Sequence, residues 1–340
     1  MAAHPENPLI SIIIVNYNGC DLLGPCLESV IGQRYRPVEI ILVDNASSDG
    51  SVDFVRSTFP HVRVLTNQEN LGFAGGNNSG FLAAAGEYVA LLNNDTVVDA
   101  EWLSALYNYL TSHEPAIACS RVLTDGVPAK YYEMNGTINY LGYNIMRQFT
   151  DLSQVFYAGA ASVMFRRALV DRPFIDEYFL YHEDVYLSWR LRLLGYSPCM
   201  VQASVVYHRG SASTRRQPGS LVTFYQERNR ALNAFLFYES RTLVLLIPYF
   251  LIDAVAKLVM SVFGRGKSTT GILRGYWWLL THGTWIMSRR REHQASRVVP
   301  DRDVMGLMSP KMLDSDSVPA RLCNALCRSY ASMVRLAYHE

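Results

Sequence analysis

The sequence predicts an α/β protein built on an open, mostly parallel sheet with helices on both faces. Three observations carry that expectation. In the first half, short β-branched runs alternate with segments of helical period, the pattern of strands joined by crossover helices. Each run is nearly continuous in apolar residues, as strands covered on both faces require. Polar residues follow each run at once, and open α/β sheets gather their ligands beyond the carboxyl ends of the strands.

In order, the strands are Ile10 to Val15, Val38 to Val43, Val62 to Leu65 and Tyr88 to Leu92. Asn16 and Asn18 follow the first, Asp44 and Asn45 the second, Asn67 and Asn70 the third, and Asn93, Asn94 and Asp95 the fourth. These loops are expected to line one cleft. A helix is expected from Glu101 to Ser112, then a looser stretch rich in Asn, Gly and Tyr from Asn135 to Gln148. The apolar stretch from Tyr157 to Phe165 suggests a mixed extension of the sheet. Tyr181 to Leu194 has a helical period, and Ser197 to Tyr207 reads as a strand leading into His208. Composition changes between Phe224 and Ser240, which divides the chain into 1–235 and 236–340, the first part splitting near residue 115.

Composition excludes several classes of function. With 340 residues, 49% hydrophobic and 18% charged, the chain is long and apolar enough to bury a large core. Its 31 basic and 30 acidic residues leave a formal charge of +1, so no global field draws nucleic acid. The 6 cysteines have neither zinc-knuckle nor redox spacing. Met1 to Pro8 lacks the basic flank and apolar stretch of a secretory signal, and a cytoplasmic location is the expectation.

The chemistry concentrates at a few positions. Asp44 lies too far upstream to cap the next helix, a task open to Asp49 or Ser51, and so reads as an acceptor for a ligand's donor group. The run from Asn70 to Gly80 is glycine-rich, but its spacing and its place after the third strand do not match a dinucleotide fingerprint. It either approaches a ligand or opens a tightly packed helix. That mismatch weighs against a nucleotide-dependent oxidoreductase, the main rival class. Asp95 ends a buried strand, where a carboxylate needs a cation or donors, and a hard divalent ion such as magnesium or manganese would serve. His208 is a second candidate ligand. Glu183 and Asp184 open a helix; adjacent helical residues diverge by about 100°, so only one of them faces a substrate squarely. Acids in a first helical turn also favour the macrodipole, which accounts for one of the two without any ligand.

Taken together these stretches resemble glycosyltransferase family 2, in its bacterial and archaeal rhamnosyltransferase-like branch, over roughly residues 8 to 235. The matching pieces are Ile12 to Asn18, Val43 to Ser51, Asn70 to Asn77, Asn93-Asn94-Asp95, Gly159-Ala160-Ala161 and His182 to Arg190. The resemblance implies a GT-A fold, a nucleotide-sugar-binding half over about 1–115, an acceptor half over 116–235, and inversion at the anomeric carbon. Under it, Asp44 accepts the imide N–H of uracil or thymine, Asn16 and Tyr17 border the base, Asn77 lies by the diphosphate, and Asn94 joins Asp95 in the donor site. Asp95 and His208 match the metal positions and Asp184 the general base. Glu183, Trp189 and Arg190 would shape the acceptor or donor-sugar pocket, and Arg215 and Arg216 would close over the phosphates. The implied donor is a dTDP- or UDP-linked sugar, most plausibly rhamnose, and the acceptor a hydroxyl of a glycan or lipid-linked molecule. One position departs from the pattern: where many relatives carry two aspartates flanking one residue, this chain has Asn93 ahead of Asn94 and Asp95. An amide oxygen is the weaker ligand for a hard cation. A non-catalytic partner subunit of the same fold is the remaining alternative, and it has no need of Asp44, Asp95, Asp184 and His208 together.

In the C-terminal part, Leu243 to Phe263 is long enough to span a bilayer, but Pro248, Asp253 and Lys257 interrupt it. An interfacial or core helix fits better. Trp277, Trp278 and Trp285 ahead of Arg289, Arg290 and Arg291 suggest attachment to the inner membrane surface. Ala320 to Tyr338 reads as an amphipathic helix suited to a homodimer contact.

Overall fold

The computed structural model describes residues 7–113, 117–124, 136–145, 155–209, 218–262, 267–313 and 318–336. The strands are β1 (Ile10–Asn16), β2 (Val38–Asp44), β3 (Arg63–Thr66), β4 (Tyr88–Asn93), β5 (Thr96–Val98), β6 (Ile117–Thr124), β7 (Thr137–Ile138), β8 (Asn144–Ile145), β9 (Ser162–Arg166) and β10 (Pro198–His208). Among the described residues an eight-stranded sheet runs β3-β2-β1-β4-β9-β6-β10-β5, and β7 pairs with β8 apart from it. Pairing is parallel for β1 with β2 and β4, β2 with β3, and β10 with β6. β9 lies antiparallel between β4 and β6, and β5 antiparallel beside β10. The mixed extension expected after residue 157 is thus present, though Tyr157 to Ala161 is a turn and only Ser162–Arg166 is a strand.

Because β9 opposes both its neighbours, β4, β6 and β10 share one direction, which is also that of β1 and β2. The carboxyl ends of β1, β2, β4 and β10 therefore open on one edge of the sheet, together with the amino end of β9. β1, β2 and β4 are almost wholly buried, as apolar runs under helices on both faces must be. β3 differs: it is an edge strand, with Arg63 and Thr66 exposed. The first, second and fourth strands each extend one residue beyond the apolar run, so that Asn16, Asp44 and Asn93 still belong to the ladder.

Helices α1 (Cys20–Ile31), α2 (Ser51–Thr58), α3 (Gly72–Ala83) and α4 (Trp102–Ser112) flank the sheet, α3 on β1 and β2 and α4 on β10, β6 and β9. The glycine run forms α3. A Cβ on Gly76 would stand 2.7 Å from Val15 and one on Gly80 2.5 Å from Ile13, so these glycines let the helix lie directly on β1. Helix α5 (Glu183–Leu193) follows the loop after β9, and α6 (Gly219–Phe237) runs unbroken through the stretch where composition changes. Beyond it come α7 (Ser240–Val262), α8 (Thr269–Thr281), α9 (Gly283–Ala295), α10 (Asp301–Met305) and α11 (Val318–Met333). One apolar cluster joins Trp189, Val185 and Tyr178 to Leu232, Phe237, Leu246, Ile286, Met305 and Ala331, so the later helices share a core with the sheet.

α6 is buried nearly all round and carries a polar stripe inside that core: Glu227, Arg228, Asn229, Arg230 and Asn233. Glu227 accepts from Arg230 at 3.0 Å, from Lys267 at 2.8 Å and from Lys257. Asp253 pairs with Arg230 at 3.1 Å and Lys257 at 2.7 Å and accepts from the Tyr143 hydroxyl at 2.9 Å. Burial alone would push the Glu227 carboxyl up, but the Arg230, Lys267 and Lys257 charges hold it well below the usual range. Asp253 and Lys257, the two charges that interrupt the apolar run, thus form the inward face of α7. Its outward face exposes Val244, Ile247, Leu251, Val255, Val259 and Met260. Among the described residues, α7 is long and apolar enough to cross a membrane.

Candidate active site

At the shared edge, β1 and β2 place Asn16 and Asp44 side by side in register. Asn16 Nδ2 donates to Asp44 Oδ1 at 3.1 Å and to Ser47 Oγ at 3.2 Å, while the Ser47 N–H donates to Asp44 Oδ2 at 2.9 Å. Asn94 Nδ2 donates to Asn16 Oδ1 at 2.8 Å, which ties the β4 loop to β1. Asp44, Asn16 and Asn94 are all buried. A carboxylate oxygen has room for further donors beyond these, so Asp44 can still accept from a planar N–H group presented at the sheet edge. Tyr17, next to Asn16, is 40% exposed and offers a ring face there. Ser47, unremarked in the sequence reading, is the hub of this corner: its hydroxyl also accepts the Asn18 N–H at 2.9 Å.

On the other side of β4, Asp95 Oδ1 lies 3.1 Å from His208 Nε2, both buried, because β5 pairs with the end of β10. Two ligands on one spot do not complete a coordination shell. They fit a hard cation that keeps sites for a substrate's phosphates, so the donor set is compatible with magnesium or manganese brought in with a diphosphate. No larger group of metal-binding side chains occurs among the described residues.

Asp184 stands in the first turn of α5. Its carboxylate accepts from the Val185 N–H at 2.7 Å and from the Ala160 N–H. The neighbouring Ala161 carbonyl accepts from the Asn93 N–H at 3.0 Å. Asp184 is therefore wired through residues 160 and 161 to the strand end that carries Asn94 and Asp95. Burial raises its carboxyl to about 6, against those two backbone donors, which favour the charged form. Glu183 is buried with one oxygen unpaired; burial, and then the Asp184 charge, raise it to about 8. Both causes favour the neutral form of Glu183.

A cavity of about 230 Å3 opens at Asp184, its lining including Asn144, Tyr157, Tyr181, His182 and Gln226. Those five were not singled out in the sequence. They come from four separate segments, and nothing local marks them. Burial, with the Arg230 and Lys267 charges, holds the His182 imidazole down at about 3, so it is neutral.

Other expected positions land elsewhere. Trp189 is fully buried against Phe156, Phe237 and Tyr238 and is not among the residues lining the cavity at Asp184; five positions after Asp184, it falls on the core side of α5. Arg190 turns to the Arg172 carbonyl at 3.0 Å. Asn77 is buried in α3, where its amide donates to the Phe73 carbonyl at 2.9 Å. Arg215 and Arg216 lie outside the described residues.

Comparison with known proteins agrees with this geometry. Residues 11–174 match the sequence profile "Glycosyl transferase family 2". Glycosyltransferase GlyA of Streptococcus pneumoniae is 27% identical over 139 residues, 40% of this chain and 19% of that protein. The chain covers only 19% to 37% of the length of five such curated relatives. Among solved structures, S. aureus TarS 1-349 in complex with UDP superposes with a TM-score of 0.52 over 96% of this chain and 91% of that one, at 17% identity. GalNAc-T7 with UDP, GalNAc and Mn2+ superposes with a TM-score of 0.58 over 86% of this chain and 58% of that one, at 14% identity. Residues 11–174 are therefore similar to glycosyltransferase family 2, and the sheet with its flanking helices has the GT-A fold.

Proposed function

We propose that the protein moves a glycosyl group from a nucleoside diphosphate sugar to a hydroxyl of a glycan or lipid-linked acceptor, with inversion at the anomeric carbon. The observation that carries this reading is the convergence, on one sheet edge of a domain similar to family 2, of the Asp44–Asn16–Asn94 chain, the Asp95–His208 pair and Asp184. Asp44 and Asn16 take the imide edge of a uracil or thymine base, and Tyr17 borders it. Asp184 takes the acceptor hydroxyl proton as that oxygen forms its bond to the anomeric carbon, and the bond to the diphosphate breaks with the electron pair leaving on the diphosphate. Asp95 and His208 would hold a divalent ion, which when bound stabilises the charge on the departing group. The proteins solved with UDP, and with UDP and Mn2+, support a nucleotide donor and a metal of this kind. Within the reading, the donor is dTDP- or UDP-linked and rhamnose is the leading sugar, on the resemblance of the Asn93 to Asp95 and His182 to Arg190 segments. We place the protein at the cytoplasmic membrane surface through α7 and α8, with α11 available to a second copy.

The test is a panel of UDP-glucose, UDP-N-acetylglucosamine, UDP-galactose and dTDP-rhamnose, scored for release of nucleoside diphosphate with and without excess chelator. Wild type is expected to turn over at least one donor in a chelator-sensitive way, and Asp184→Asn to lose turnover while still binding it. Equal rates for the two proteins would remove Asp184 as the base; full turnover of metal-stripped protein in chelator would remove the ion.

A further inference from the structure

The loop that delivers Asp184 is held in a costly conformation. Phe179, Tyr181 and His182 have φ of 59°, 68° and 64°, a region bulky L-residues avoid. Strain of this kind persists only where surrounding bonds over-determine it, and it gathers at functional sites. Here the bonds come from one face of α6.

The Asn229 side-chain amide donates to three carbonyls of the loop: Tyr178 at 2.9 Å, Leu180 at 2.9 Å and Tyr181 at 2.8 Å. An NH2 group has two hydrogens, so at least one is shared between acceptors, and the loop is drawn tightly round a single nitrogen. The amide cannot turn away, since Arg228 Nε donates to its oxygen at 2.8 Å. Arg228 also reaches the carbonyls of Glu177 and Tyr178. One turn further along α6, Asn233 donates to the His182 carbonyl at 3.1 Å and accepts from the Tyr178 hydroxyl at 2.6 Å. Arg228, Asn229 and Asn233 are all buried. Asparagine is a weak helix former and costly to bury, so two of them, one turn apart on an internal helix, point to a task that apolar packing does not perform.

The far side of the same loop meets the glycine-rich helix. The Phe179 carbonyl accepts from the N–H groups of Phe73 at 2.6 Å and Ala74 at 3.2 Å, and a Cβ on Gly72 would stand 2.4 Å from that oxygen. The His182 carbonyl also accepts the Tyr186 N–H at 2.9 Å and so begins α5, two residues before Asp184. Loop, α3 and the first turn of α5 thus form one braced unit with Asn229 at its centre.

We infer that Asn229, seconded by Asn233, is a positioning residue for the transfer reaction: by gathering the Tyr178, Leu180, Tyr181 and His182 carbonyls, this pair fixes where Asp184 stands relative to the sheet edge and α3. The inference rests on the reading of Asp184 as the base. A residue that merely stabilised the fold would lower the melting temperature and leave the turnover of the folded protein alone.

The test measures kcat and donor KM, with the panel donor that turns over fastest, for wild type, Asp184→Asn, Asn229→Ala and Asn233→Ala, each well below its own melting temperature. Asn229→Ala is expected to lose roughly 100-fold in kcat, the scale of a small misplacement of a reacting group, with a much smaller change in donor KM. Asn233→Ala keeps all three Asn229 bonds and is expected to show the same split more weakly, and it decides the matter if Asn229→Ala does not fold. Turnover lost in Asp184→Asn but kept at the wild-type kcat in the folded asparagine variants would overturn the positioning role alone. Wild-type kcat in Asp184→Asn would overturn the base assignment and the positioning role with it.

Discussion

Glu183 and Asp184 are neighbours in one helical turn, yet their surroundings give them different work. Asp184 borders the cavity and accepts two backbone N–H groups, whereas Glu183 is buried with an unpaired oxygen. A base must be deprotonated to act, and burial raises the Asp184 carboxyl to about 6. Turnover is therefore expected to be full above that value and to fall as pH drops through about 6. A limb near the ordinary aspartate range, near pH 4, in a profile of kcat against pH would contradict a buried base. Because the two acids titrate as a pair, the limb belongs to both. Glu183→Gln then separates them: burial and the Asp184 charge favour the neutral form of Glu183, so the variant is expected to keep near-wild-type kcat where Asp184→Asn does not. Asp44 and Asp95 stood out in the sequence because no helix cap accounts for a carboxylate in those places, whereas Asp184 was separated from Glu183 only by the family resemblance, since the macrodipole accounts for an acid in a first helical turn. Trp189 has site residues as its neighbours in sequence, while its neighbours in space, Phe156, Phe237 and Tyr238, are core.

Among the elements, β1, β2 and β4 were legible because a strand covered on both faces has to be an apolar run, and that is a local property. Helix α6 was not. Buried nearly all round, it shows no amphipathic period, and its Glu227-Arg228-Asn229-Arg230 run looks like a solvated turn until the loop carbonyls and the α7 charges are set against it. The glycines of α3 were open to two readings until Val15 and Ile13 showed how close β1 lies. α6 also holds α7 through charges, which makes a test at this scale. Glu227 is fully buried and balances Arg230, Lys257 and Lys267. Glu227→Gln leaves Arg230 and Lys257 with Asp253 alone and Lys267 without its carboxylate, and is expected to lower unfolding stability by about 3–5 kcal/mol, the range for breaking a buried pair from one side. Urea unfolding of the two proteins measures it. A change within about 0.5 kcal/mol would mean that Asp253 and water, and not Glu227, compensate the three cations.

For the whole molecule, the distribution of polarity in α7 is the reverse of a surface helix. Its charges face inward to α6, and an apolar face of Val244, Ile247, Leu251, Val255 and Val259 is left outside. A concavity of about 310 Å3 between Phe235, Leu243, Ile247, Phe250 and Leu251 lies on the same face. α8 adds exposed Leu273, Trp277 and Leu280, with Arg274 exposed beside them. Part of the aromatic and basic cluster read from the sequence is internal: Trp278 packs over Arg228, and Arg290 holds the carbonyls of Phe235 and Tyr238. What stays outside is apolar with a basic fringe, a composition suited to the headgroup boundary of an anionic bilayer. Removing exposed Leu or Ile side chains from water is worth about 1.5–3 kcal/mol each when burial is complete. The double variant Ile247→Glu with Leu251→Glu is therefore expected to weaken sedimentation with phosphatidylglycerol-containing vesicles at least tenfold, since the two side chains, 50% and 62% exposed, have only about half of that burial left to gain. Both side chains are exposed in α7, far in sequence from Asp184, so diphosphate release in solution is expected to persist. Wild type that stays in the supernatant, while light scattering finds a dimer that the double variant breaks, would assign the same face to a second copy of the chain.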